Sequence, residues 1–123
     1  IVTNADKRRA LQAAATDQPF VGQAPVVIAA CSNTQRRMNL CGQPYSSVNV
    51  SIALEHIALA ATSLGLATCW VGSFKPQQVR KLLGIPTYIE IVELMTIGYP
   101  ADKQRSPGRL KTDQIVCFET WTL

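Results

Sequence analysis

Residues 46–74, SSVNVSIALEHIALAATSLGLATCWVGSF, limit the possible folds of this chain more than any other stretch. They read as a long helix, a glycine stop, and a short strand that ends in a glycine turn. Ser46 or Ser47 offers a hydroxyl that can accept from the free N–H groups of a first helical turn. Gly65 stands where a left-handed residue commonly closes a helix, so the helix is expected over about 48–64. Placed at 100° per residue, its side chains give one broad apolar or small arc: Val50, Ala53, Leu54, Ile57, Ala58, Ala60, Ala61 and Leu64. A narrower stripe of Val48, Ile52 and Leu59 lies opposite, and polar residues are confined to Asn49/His56/Ser63 and Ser51/Glu55/Thr62. A helix apolar on two faces calls for cover on two sides, so it is central in the fold or sits at a subunit interface. Its alanines permit a neighbouring helix to approach closely.

The remaining chain supplies elements of both kinds. Residues 7–15 read as a helix capped by Asn4 or Asp6, with Ala10, Leu11, Ala14 and Ala15 inward, and Ile1-Val2 before it as the end of a strand. Residues 17–23 read as a connection marked by Pro19 and Gly22. The β-branched run at 25–31 has the pattern of a central strand covered on both faces. Residues 32–45 form a polar loop of the sort that often lies over a binding site. Pro76 opens a short helix over 76–83, closed by Gly84. Residues 89–97 are strand-like, although Glu90 and Glu93 break the alternation. A charged, Pro/Gly-broken tail covers 101–113, and the alternation at 115–121 predicts a last strand. Strands alternating with helices give an α/β or α+β three-layer domain.

With 123 residues, 47% of them hydrophobic and 16% charged, the chain is one globular domain at most. Glu55 and His56 interrupt the best candidate for a membrane span, and no signal peptide is visible. The net charge of +4 is scattered over Lys7-Arg8-Arg9, Arg36-Arg37 and Lys103/Arg105/Arg109/Lys111, too mild a pattern to indicate nucleic acid. Cys31, Cys41, Cys69 and Cys117 show no C-x-x-C spacing, so neither a zinc site nor a dithiol motif follows. Cys31 and Cys69 close apolar runs and are expected as small buried hydrophobes, in a reduced, cytoplasmic protein.

Three motifs in order carry a more specific signal: Gly65-Leu66-Ala67-Thr68-Cys69-Trp70-Val71-Gly72-Ser73-Phe74, then Leu83-Gly84-Ile85-Pro86, then Gly98-Tyr99-Pro100. Together with the alanine-rich helix, over about residues 45–105, this resembles the FMN-dependent nitroreductase family, whose pattern is GLGTCW-G-F, LGIP and a strand ending in GYP. The resemblance implies a mostly antiparallel sheet flanked by helices and a homodimer with the long helix at its interface. It also implies FMN at that interface and NAD(P)H as electron donor. The acceptor would be a small molecule such as a nitroaromatic or a quinone, with no catalytic side chain required. The turn Trp70-Val71-Gly72-Ser73 would lie against the isoalloxazine edge, with a backbone N–H of Gly72 or Ser73 toward N5, and Gly72 would let main chain approach the ring. Lys103 and Arg105 resemble the basic pair directed at the FMN phosphate, as a point charge and a fork, and Arg109 is a weaker candidate. Trp70 is equally readable as a flavin neighbour and as a core or interface residue. His56 reads as structural.

The family's arginine-rich opening segment, which holds the FMN phosphate, has no counterpart here. Residues 1–123 therefore read as an incomplete domain, expected to bind FMN weakly or not at all. The alternative from a different class is a flavin-free module for dimerisation or for a small ligand. Thiol redox chemistry through the cysteines has no spacing to support it.

Overall fold

A computed structural model describes residues 1–33, 39–40, 43–102 and 108–122. The elements run α1 (Ala5–Ala14), α2 (Pro19–Gln23), β1 (Val26–Asn33), β2 (Asn39–Leu40), β3 (Gln43–Pro44), α3 (Tyr45–Ser63), β4 (Ala67–Val71), α4 (Pro76–Leu83) and β5 (Ile89–Gly98). A short 3-10 turn at Thr112–Gln114 follows. Asn4 caps α1, its side-chain oxygen accepting from the Lys7 N–H at 3.0 Å. Pro19 and Pro76 open α2 and α4 at positions where a helix has no use for the missing N–H. Residues 17–23, expected as a bare connection, thus contain one short helix.

Both glycine stops form as expected. Gly65 and Gly84 adopt left-handed φ values of 74° and 68°. Behind them Leu66 N–H reaches Ala61 C=O at 2.9 Å and Ile85 N–H reaches Arg80 C=O at 3.0 Å, the bond that satisfies a helix's last carbonyls. α3 begins at Tyr45, earlier than expected, because Pro44 ends the extended segment directly before it. Ser46 and Ser47 consequently lie in the first turn and not at its cap.

The main sheet is antiparallel with order β1-β5-β4, so the central strand is β5 and not β1. β1 keeps an outer edge, met at its start by Val2, which exchanges both backbone bonds with Val27 at 2.8 and 2.9 Å. The interruption noted at Glu90 and Glu93 has a structural cause. Ala30 pairs with Glu93 but Cys31 pairs with Ile91, so Val92 is an extra residue in a β-bulge. The bulge places Ile91 and Leu94, three residues apart, on one face of the sheet.

That face carries the core. α1, α2 and α4 pack there around Val2, Leu11, Val21, Val27, Val71, Val79, Ile91 and Leu94. α3 covers the opposite face and buries only Leu54 and Ala61 fully. Val48, Ile52, Ile57 and Leu59 of the same helix are exposed, as is Leu64 just past its end. The expected two-sided helix is therefore covered on one side by its own sheet and left apolar on the other.

The last strand predicted at 115–121 does not form. A strand exists only where a ladder partner accepts its N–H and C=O groups, and among the described residues β1 and β4 pair with β5 alone, β1 also taking the Val2 bridge. Glu119 instead takes a left-handed φ of 62°, Thr122 N–H bonds back to the Cys117 sulfur at 3.3 Å, and Phe118 and Trp121 stand exposed.

Candidate functional site

Trp70-Val71-Gly72-Ser73 closes β4 and begins the loop to α4, and the four residues do different work. Val71 is buried in the core and anchors the turn. Trp70, opposite Met95 of β5, points to the α3 face and is partly exposed. Gly72 and Ser73 are exposed. Gly72 does not adopt the left-handed conformation that would demand glycine. A Cβ there would meet only the carboxylate of Glu93, whose oxygens lie 3.6 and 3.7 Å away, an ordinary contact. The backbone at Gly72 is thus open by choice of residue and not by turn geometry.

The turn is also held firmly. Ser73 C=O accepts from Gln18 Nε2 at 3.3 Å, its hydroxyl lies 3.4 Å from that of Thr16, and Lys75 N–H donates to Ala14 C=O at 2.8 Å. Thr16 and Asp17 carry φ values of 54° and 56°, a conformation unfavourable by roughly 1–2 kcal/mol for each non-glycine residue. A strained two-residue bend after α1 therefore fixes the loop that follows β4.

Two clefts lie elsewhere. One, of about 530 Å³, is bounded by Val2, Asn4, Lys7, Cys31, Leu83 and Ile85. The other, of about 450 Å³, lies between α2 and the paired ends of β4 and β5, bounded by Phe20, Cys69, Thr96 and Tyr99. Neither includes Trp70–Ser73, and among the described residues Gly72 and Ser73 lie exposed. Cys31 and Cys69, expected buried, are exposed at these clefts, each on an outer strand of the sheet. Local burial still pushes the Cys31 thiol above its ordinary pKa, against the positive charge of Arg80, which pulls it down. His56 is exposed on α3. Among the described residues no three His, Cys, Asp or Glu side chains gather as a metal would require, and no helix is long and apolar enough to cross a membrane.

Lys103 and Arg105 fall outside the described residues, as do Arg36, Arg37 and Cys41. Arg109 is exposed in the segment beyond them. One neighbour of the turn was not anticipated from the sequence: the Glu93 carboxylate against Gly72. The signal for it was present, since Glu93 is a charged residue in an otherwise apolar strand.

Comparison with known proteins agrees with this architecture. The model of the Nitroreductase family matches residues 2–99. An FMN reductase [NAD(P)H] of Bacillus subtilis is 28% identical over 137 residues, covering 98% of this chain and 55% of that protein. The solved structure of the hypothetical oxidoreductase YcnD of Bacillus subtilis superposes with a TM-score of 0.85 at 28% identity, over 98% of this chain and 55% of that one. A nitroreductase family protein of Clostridium difficile superposes with a TM-score of 0.84 at 26% identity, over 98% and 72%. Together these observations define an α+β domain with its antiparallel sheet between helix layers. The chain belongs to the nitroreductase family. It spans about half the length of that Bacillus FMN reductase.

Proposed function

We propose that this chain serves a nitroreductase-type oxidoreductase that binds FMN at the Trp70–Ser73 turn, between two copies of the chain. The observation that carries the reading is the pairing of two incomplete surfaces. The turn is tied to the segment after α1 by the Gln18–Ser73 bond and leaves Gly72 and Ser73 exposed, and α3 leaves an apolar stripe uncovered. A second copy closes both at once.

The turn fits a flat ring. Gly72 keeps its backbone clear although its conformation would accept a side chain, and Trp70 flanks it on the α3 face. The N–H of Gly72 or Ser73 would orient the ring edge, and Lys103 with Arg105 would neutralise the phosphate. When bound, FMN supplies two-electron chemistry between NAD(P)H and a nitroaromatic, quinone or similar acceptor. The names of relatives, such as the FMN reductase [NAD(P)H], support this assignment.

Paired titrations with FMN and riboflavin test it. Arg105→Ala should cost on the order of 1.5–3 kcal/mol of FMN binding, roughly a tenfold to hundredfold loss. Riboflavin, which lacks the phosphate, should bind as before. Equal losses for both ligands would assign Arg105 to the fold. The exposed apolar face of α3 also favours a second reading, a flavin-free dimerisation module, and the absence of flavin absorbance from a stable purified dimer would select it.

A further inference from the structure

Glu93 occupies a position that a core strand seldom gives to a charge. It sits within β5 between two small neighbours, Ala30 across in β1 and Gly72 just past the end of β4. Strand alternation from buried Leu94 puts its side chain on the α3 face, the face of Trp70. Among the described residues its Oε1, shut off from solvent, has no hydrogen-bond partner, and no lysine or arginine forms an ion pair with it. Burying a carboxylate without compensation opposes folding. The sequence nevertheless places it with both oxygens within 3.7 Å of where Gly72 would carry a side chain.

We propose that Glu93 sets the reduction potential of the flavin at the Trp70–Ser73 turn, by holding its carboxylate against Gly72, beside the backbone that would face the ring. This rests on the flavin reading of that turn. Reduction adds negative charge to a flavin, and a fixed carboxylate nearby opposes that addition while affecting the oxidised form far less. The effect is one of the carboxylate's field and needs no bond to the cofactor. At an effective dielectric constant of about 20, one unit charge several ångströms away changes the ratio of reduced to oxidised affinity on the order of tenfold. For a two-electron couple that factor is about 30 mV. Glu93 thereby favours the oxidised form and makes the reduced form a stronger donor to acceptors.

The test is a dye-coupled redox titration of the flavin-loaded protein, with flavin affinity measured alongside. Glu93→Gln keeps the shape and removes the charge. It should raise the midpoint potential and tighten reduced FMN about tenfold, leaving oxidised FMN little changed. Glu93→Asp keeps the charge one methylene further from Gly72 and should give a smaller rise. An unchanged potential in Glu93→Gln overturns the proposal, and where that variant fails to fold, an unchanged potential in Glu93→Asp does so. A third variant, Gly72→Leu, separates this failure from that of the site itself. If Gly72→Leu weakens FMN binding while the Glu93 variants leave the potential alone, the turn holds the flavin and Glu93 does not tune it. If Gly72→Leu binds FMN as before, the turn is not the flavin site and both readings fall.

Discussion

Leu59→Ser is the most direct probe of the uncovered helix face. Leu59 is 61% exposed and shares its stripe with Val48 and Ile52, at 40% and 49%, while Leu54 and Ala61 of the same helix are buried against the sheet. Removing Leu59 therefore takes away little that holds one chain together. Full burial of a leucine side chain contributes about 1.5–3 kcal/mol, so covering the exposed three-fifths of Leu59 contributes about 1–2 kcal/mol. A symmetric interface uses the residue twice, which makes the expected loss about 2–4 kcal/mol of dimerisation, roughly 30-fold to 1,000-fold in Kd. Sedimentation velocity over a dilution series reads that change, and thermal melting of the dilute monomer should be nearly unaltered. A wild-type chain that is monomeric at micromolar concentration, or a variant with unchanged dimer affinity, would refute the reasoning. A fall in monomer melting temperature comparable with that of a core variant would also refute it.

Leu94→Ala addresses the other side of the sheet. Leu94 is fully buried where the bulge aligns it with Ile91, so the substitution should cost about 2–5 kcal/mol of stability in denaturant melts. Cys31 gives a pH signature: its alkylation midpoint should lie above that of an unfolded-chain thiol, and Arg80→Gln should raise it further by removing the opposing charge. Because the folded state holds that proton more tightly, Cys31 favours folding below the ordinary thiol range. Its contribution declines as pH rises from the unfolded to the folded value, and stability measured across that window should fall.

Much of the fold was legible because local chemistry and packing agree. Gly65 and Gly84 stop helices in both sequence and structure, Pro76 starts one, and the apolar run at 89–97 becomes the strand that the others pair with. Other features depended on partners that a linear pattern does not contain. The run at 25–31 has the apolar density of a central strand, yet β1 lies beside β5 alone and borrows only Val2 on its outer edge. Alternation at 115–121 was equally persuasive, but alternation describes side chains, whereas a strand is decided by where backbone donors find acceptors. The same distinction governs the site. Trp70, Gly72 and Ser73 are readable as a turn, but the strained bend at Thr16–Asp17 that pins it, and the Glu93 carboxylate behind it, come from elements 50 or so and 20 or so residues distant.

The two surfaces left incomplete by a single chain should not be independent. The turn ends a strand that α3 packs against, and the apolar stripe lies on the exposed side of that helix. If a second copy supplies the missing wall for a flavin, then flavin bound between copies must favour their association, because a ligand stabilises whichever state holds it more tightly. At a free FMN concentration 100 times its Kd the dimer should gain up to about 2.7 kcal/mol for each occupied site. Linkage requires the reverse effect with the same magnitude, so FMN should bind more weakly as the protein is diluted below its dimer Kd. Both halves can be measured on one preparation, by sedimentation with and without FMN and by flavin fluorescence at several protein concentrations. Riboflavin should promote association nearly as well as FMN if the ring is what lies between the copies. Dimer affinity that ignores saturating flavin would place the cofactor within one chain, and the wall opposite Trp70–Ser73 would then have to come from that chain itself.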